Sequence, residues 1–201
     1  MMETPEPQAA SATPVRLCRP LVLVGLMGAG KTSVGKRLAA LLDAGFTDSD
    51  HEIVEAAGMS IPEIFATLGE PAFRDGERRV IARLLAESAG VLATGGGAFV
   101  EPRTRAEIQA RATSVWLRAD LALLWDRVRD RPGRPLLQTP NPRATLAELL
   151  ERRYPRYAEA DVIVDSRRGA SHEAMARIII AAVRAFDSAH PERPPTLEPA
   201  P

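Results

Sequence analysis

The sequence predicts an α/β domain built on a mainly parallel sheet with helices over both faces. Three observations predict it. Short β-type runs at residues 21–24, 45–48, 91–94, 114–117 and 162–164 alternate with segments of helical character. Those runs are apolar without strict alternation, as expected of strands covered on both sides. The first of them leads directly into a glycine-rich loop and then an amphipathic segment, the strand, loop and helix order of a phosphate-binding unit. A length of 201 residues with 45% hydrophobic and 26% charged content suits one domain, placed here at residues 16–188. Residues 1–15 and 189–201 are rich in Pro and Ala without periodicity and are expected to be disordered tails.

The loop after the first strand reads Gly25-Leu-Met-Gly-Ala-Gly30-Lys31-Thr32, the pattern G-x-x-x-x-G-K-T. Glycines at these positions let successive N–H groups point into one concavity, and the helix that follows adds its partial positive charge. The Lys31 ammonium is then placed to reach β- and γ-phosphates and the Thr32 hydroxyl to ligate Mg²⁺. Val34, Leu38, Leu41 and Leu42 fall at i, i+4, i+7 and i+8, which predicts an apolar helix face beginning where the loop ends. Only Lys31 and Lys36 are lysines among 26 basic residues, so a compact point charge has been kept where phosphate chemistry wants one.

At the end of the second strand stands Asp48-Ser49-Asp50, on the sheet edge where open α/β folds bind ligands. In an extended chain both carboxylates share a face, one toward Mg²⁺ or a reacting hydroxyl and one toward a substrate hydroxyl. Alternatively, Asp50 caps a helix starting at His51. Ser60 and Glu63 form a capping-box pattern. Thr94-Gly95-Gly96-Gly97 follows the third strand and either admits a ligand close to the backbone or is a flexible turn. Pro102 suits a first helical turn and Asp120 an N-cap. Arg131-Pro-Gly-Arg134-Pro has the look of a mobile lid that brings a guanidinium over phosphates on closure.

Composition excludes several classes. Formal net charge is zero, so no whole-molecule field draws the chain to nucleic acid or an anionic membrane. The single cysteine, Cys18, rules out an internal disulfide and a Cys-rich metal site, and suits a reducing compartment. No apolar segment approaches a membrane span and no signal-peptide pattern opens the chain, so a cytoplasmic protein is expected; a monomer is the expectation for assembly, with nothing in these features deciding it.

Taken together, the Gly25 loop, Phe46-Thr-Asp-Ser-Asp50, Ile61 to Phe65 with Gly69-Glu70 and Phe73-Arg74, Gly95-Gly-Gly97, Arg134-Pro-Leu-Leu137 and Arg153-Tyr-Pro-x-Tyr157 resemble the shikimate kinase family in order and spacing. The resemblance covers roughly residues 17 to 185; the loop alone would mark any of many nucleotide-binding proteins. It implies a three-layer P-loop kinase fold, a five-stranded parallel sheet in the order 2-3-1-4-5 flanked by helices, with a mobile lid. It further implies transfer of the ATP γ-phosphate to the 3-hydroxyl of shikimate, giving shikimate 3-phosphate and ADP on the route to chorismate and aromatic amino acids.

By the same resemblance Gly28, Ala29, Gly30, Lys31, Thr32 and Ser33 surround the ATP phosphates, Thr32 and Asp48 serve Mg²⁺, and Arg127 stacks on adenine. Asp50 holds substrate hydroxyls, Arg74 and Arg153 bind the carboxylate, and the backbone of Gly95, Gly96 and Gly97 lines that pocket. Lys31, Asp48 and the lid residue Arg134 carry the chemistry, with Asp48 organising metal and having some base character. Thr32 stands where many members have Ser, which keeps the hydroxyl, and Asp165-Ser-Arg-Arg168 receives no role. The rival readings are a gluconate kinase-like enzyme and a non-catalytic nucleotide switch. A guanine-reading Asn-Lys-x-Asp is impossible, since no lysine follows Lys36.

Overall fold

A computed structural model describes residues 15–87, 89–130 and 135–200. Residues 1–14 and the predicted lid segment 131–134, with Arg134, lie outside the described residues. The element order is β1 (Val15–Leu17), β2 (Leu21–Val24), α1 (Lys31–Leu41), β3 (Phe46–Asp48), α2 (Ser49–Ala57), α3 (Ile61–Glu87) and β4 (Val91–Ala93). It continues with α4 (Pro102–Arg111), β5 (Thr113–Arg118), α5 (Leu121–Val128), a 3-10 turn (Pro135–Leu137), α6 (Pro142–Tyr157), β6 (Val162–Asp165), α7 (His172–Ala189) and β7 (Leu197–Pro199).

Parallel strands form the central sheet in the order β3-β4-β2-β5-β6. With the separate β1 and β7 pair left out of the count, this is the expected 2-3-1-4-5. Central strand β2 is fully buried and apolar from Leu21 to Val24, and β5 is buried from Thr113 to Leu117, its two polar residues, Thr113 and Ser114, hydrogen-bonded to Thr196 and Asp161. The crossover direction puts every βα loop at one edge of the sheet, and the site is built there.

Local chemistry sets several boundaries as the sequence implies. Ser60 and Glu63 close a reciprocal capping box at the start of α3, with Ser60 N–H on Glu63 Oε2 at 2.8 Å. Pro102 opens α4, and Asp120 caps α5 by accepting from Leu123 N–H at 2.7 Å. Inside α3 the helix breaks at Gly69, whose φ of 79° and ψ of 170° lie outside helical space, and Pro71 starts the second half. That bend folds α2 and α3 over a small core of their own, Ile53, Ile64 and Phe73, apart from the main one. It also aims Arg74 and Glu77, on the second half of α3, at the sheet edge.

The C-terminal segment departs from the expected disordered tail. Beyond α7 the chain returns to pair β7 antiparallel with β1, Leu197 opposite Leu17. Thr196 is fully buried, its hydroxyl 2.6 Å from that of Thr113, and Cys18 N–H donates to its carbonyl at 2.9 Å. Asp187 accepts from the N–H groups of Thr196 and Leu197 and from the Thr196 hydroxyl, each at 3.0 Å. A proline-rich stretch without periodicity looks disordered when each of its anchors is a single residue meeting a distant one. Asp187→Ala leaves two N–H groups and a buried hydroxyl without their acceptor, far from the βα edge. We expect a loss of about 1–3 kcal/mol in urea unfolding with catalytic constants unchanged; an unaltered urea midpoint contradicts the docking.

Candidate functional site

The crevice begins where β2 runs into α1. Gly30 caps α1 at φ 97°, a left-handed conformation costly for any residue with a Cβ, and no side chain caps the helix there. Gly28 is confined by contact as well, since a Cβ on it would lie 2.7 Å from Val128 Cγ1. The loop's amides and the first turn of α1 thus present donors to one side, the arrangement that suits phosphate oxygens. Lys31 Nζ donates to the carbonyls of Gly25 at 2.8 Å and Leu26 at 3.1 Å, which folds the ammonium across the cradle.

From α5, Arg127 Nη1 reaches the carbonyls of Gly28 at 3.2 Å and Ala29 at 3.3 Å, and the Ser166 hydroxyl at 2.9 Å. The guanidinium therefore braces the phosphate loop against the segment after β6. Ser166, in the stretch the sequence left without a role, joins Ala170, His172 and Met175 on this wall of a crevice of about 320 Å³. Ala29, Thr32, Ser33, Asp48, Asp50, Gly95 and Gly96 line the same crevice.

Opposite lies the end of β3. Thr32 Oγ1 donates to Asp48 Oδ2 at 2.8 Å, and Asp48 Oδ1 accepts from Asp50 N–H at 3.1 Å. Two hard oxygen ligands within reach of one small cation, one already fixed by the backbone, fit Mg²⁺. This geometry also corrects the expectation for the pair of carboxylates. The helix starts at Ser49, two residues earlier than a cap at Asp50 requires, and the cap is Asp48 itself. Asp50 is neither on an extended strand nor a cap; the first turn of α2 carries it toward Gly95, where a Cβ would lie 2.5 Å from its Oδ1. His51 is exposed on the helix surface.

The Gly95, Gly96, Gly97 stretch meets three polar side chains in succession. Gly95 faces Asp50, Gly96 faces Arg153, whose Nη1 donates to its carbonyl at 3.0 Å, and Gly97 faces Arg74, with a notional Cβ 2.5 Å from Nη1. Each would clash or be displaced by a methyl group. Arg74 is held in turn by Glu77 Oε2 at 2.6 Å and Glu70 Oε1 at 3.3 Å. Buried Glu77 has its other oxygen without a hydrogen-bond partner among the described residues, and burial pushes its carboxyl above the usual range against the pull of Arg74.

Sequence reasoning missed Glu77, Ser49 and Ser166. Glu77 had a signal, since it lies three residues after Arg74 on a helix. Ser49 donates nothing to a local motif; its hydroxyl accepts from Gly95 N–H at 3.2 Å, forty-six residues away.

The shikimate kinase family model matches residues 27–184. A shikimate kinase of Rhodopseudomonas palustris is 50% identical over 188 residues, 94% of this chain and 92% of that one. Another, of Paramagnetospirillum magneticum, is 60% identical over 151 residues, 75% of this chain and 77% of its own. Among solved structures, shikimate kinase from Acinetobacter baumannii in complex with shikimate superposes with a TM-score of 0.79 at 40% identity, covering 83% of this chain and 93% of that one.

Glu77 makes a pH prediction. A carboxyl raised on folding destabilises the fold when ionised, so its cost is absent below the unfolded value near 4.3 and grows as pH rises through the folded value. The stability difference, Glu77→Gln minus parent, should therefore move in favour of Gln between about pH 4 and 7 in urea titrations. A difference that is flat or runs the other way contradicts the assigned direction.

Proposed function

The chain belongs to the shikimate kinase family, and from that premise we propose that its crevice transfers the γ-phosphate of ATP to the 3-hydroxyl of shikimate. The observation that carries the reading is the side-by-side placement of a phosphate cradle and a recognition set of one carboxylate and two arginines on the same three glycines. A carboxylated polyol needs acceptors for its hydroxyls and planar donors for its carboxylate, and Asp50, Arg74 and Arg153 supply them.

On this reading Gly28 to Ser33 hold the phosphates, and Lys31 leaves the Gly25 and Leu26 carbonyls for β- and γ-phosphate oxygens. Thr32 and Asp48 hold Mg²⁺, whose charge when bound screens the phosphates. Phosphoryl transfer goes through a loose transition state, so alignment and charge matter more than a strong base. Asp48 accordingly orients the acceptor hydroxyl and takes its proton late. Arg127 serves the nucleotide side, a role supported by its bonds to the loop and Ser166. Arg134 completes the charge from a lid by its resemblance to the family. The enzyme acts as a cytoplasmic monomer, and its zero net charge supports the further reading that nucleic acid and anionic membrane are not its partners. Among the described residues no helix is long and apolar enough to cross a membrane.

The experiment that tests the function is a coupled assay of ADP release with shikimate or gluconate as sole acceptor. Shikimate-dependent release with none from gluconate is expected; ADP release independent of either acceptor contradicts transfer. Within it, Lys31→Met should cut kcat by about a hundredfold or more, the scale of a lost transition-state contact. Arg74→Lys keeps charge but loses the two-point fork, so it should raise the KM for shikimate and leave that for ATP alone. Unchanged shikimate kinetics in a folded Arg74→Lys enzyme would remove Arg74 from carboxylate recognition.

A further inference from the structure

Tyr157 closes α6 and is fully buried, its ring centroid 5.9 Å from that of Trp116 and 6.1 Å from that of Tyr154. A phenol in such surroundings needs a partner for its O–H, and any carbonyl would do. The one it finds is that of Gly96, the middle residue of the three glycines. The same oxygen accepts from Arg153 Nη1 at 3.0 Å. One residue earlier, the N–H of Gly95 is held from the α2 side by the hydroxyl of Ser49, which is also fully buried. Three glycines in a row have no intrinsic conformation, so something must define where their backbone sits. Turn bonds from Ala98 N–H to the Gly95 carbonyl and from Val100 N–H to the Gly97 carbonyl supply part of the definition, and two buried hydroxyls from helices on either side hold the Gly95 N–H and the Gly96 carbonyl that those bonds leave over.

We propose that Tyr157, with Ser49 as its counterpart, is a positioning residue for the acceptor: its hydroxyl fixes the Gly96 carbonyl and thereby the guanidinium of Arg153 that shares it. The inference rests on the reading of Gly95 to Gly97 and Arg153 as the shikimate pocket. A carbonyl oxygen has two lone pairs, and the phenol occupies one, leaving the other direction for Arg153. Without the phenol the carbonyl can tilt, and the arginine fork tilts with it. Burial pushes the phenol up to about 12, so it remains a neutral donor across the working range of pH.

The test is Tyr157→Phe, which removes the hydroxyl and keeps the ring, read by steady-state kinetics and urea unfolding beside Ser49→Ala and Arg74→Lys. Losing one neutral hydrogen bond should raise the KM for shikimate about three- to tenfold, with kcat and the KM for ATP within about twofold. The ratio of variant to parent should stay constant from about pH 6 to 9, because the phenol removed does not titrate in that range. Combined with Arg153→Lys, the loss should be smaller than the product of the two, since both act through one carbonyl. A merely structural tyrosine lowers stability without this KM shift, so a parental KM for shikimate in Tyr157→Phe overturns the inference whatever the urea midpoint. Should the Phe variant not fold, Ser49→Ala decides by the same criterion. A parent that does not phosphorylate shikimate overturns the pocket reading and this inference together; an Arg74→Lys effect without a Tyr157→Phe or Ser49→Ala effect overturns this inference alone.

Discussion

Close approach of side chains to a backbone without Cβ atoms is the constraint on which the site depends. Gly95, Gly96 and Gly97 sit at the carboxyl end of β4, beside the phosphate loop that leaves β2, and each meets one charged side chain, at Gly95 and Gly97 so closely that a methyl group would displace it and at Gly96 in tight contact. Asp50, Arg153 and Arg74 come from three different helices. They converge only because the parallel sheet delivers every βα connection to the same edge. The bend at Gly69 is part of the same arrangement, since it turns the Arg74 helix back toward that edge.

Such a convergence is electrostatically expensive, and the structure offsets the cost locally. Arg74 has Glu77 beneath it and Glu70 beside it, so a half-buried cation is balanced before any ligand arrives. Glu77 bears the larger cost, being buried with one oxygen unpartnered among the described residues. Lys31 and Arg127 both donate to backbone carbonyls of the phosphate loop itself. Arg74 is thus set in place by ion pairs and Arg153 by the Gly96 carbonyl.

Much of this was legible in the sequence where a feature is local. The five core strands, the Ser60 capping box, Pro102 and Asp120 each announce themselves within a few residues, and the phosphate loop does so within eight. The Asp48 and Asp50 pair was legible as a cluster but not in its geometry, because a two-residue shift of the helix start decides which of them caps. Ser49, Tyr157 and Ser166 were not assigned, since each acts on a partner about forty to sixty residues distant and each looks ordinary in its own neighbourhood. The C-terminal strand was hidden for the same reason: Asp187 and Thr196 carry no pattern until the chain has turned back onto β1.

If Asp48 meets the reacting oxygen and Asp50 its neighbours, as proposed, one particular hydroxyl of the acceptor lies in line with the γ-phosphate. Product regiochemistry reads that alignment directly. Complete conversion of shikimate with ATP, followed by proton and phosphorus NMR of the product, should show a single phosphate ester coupled to the proton at carbon 3. A mixture of esters, or a product phosphorylated at another hydroxyl, would contradict the account.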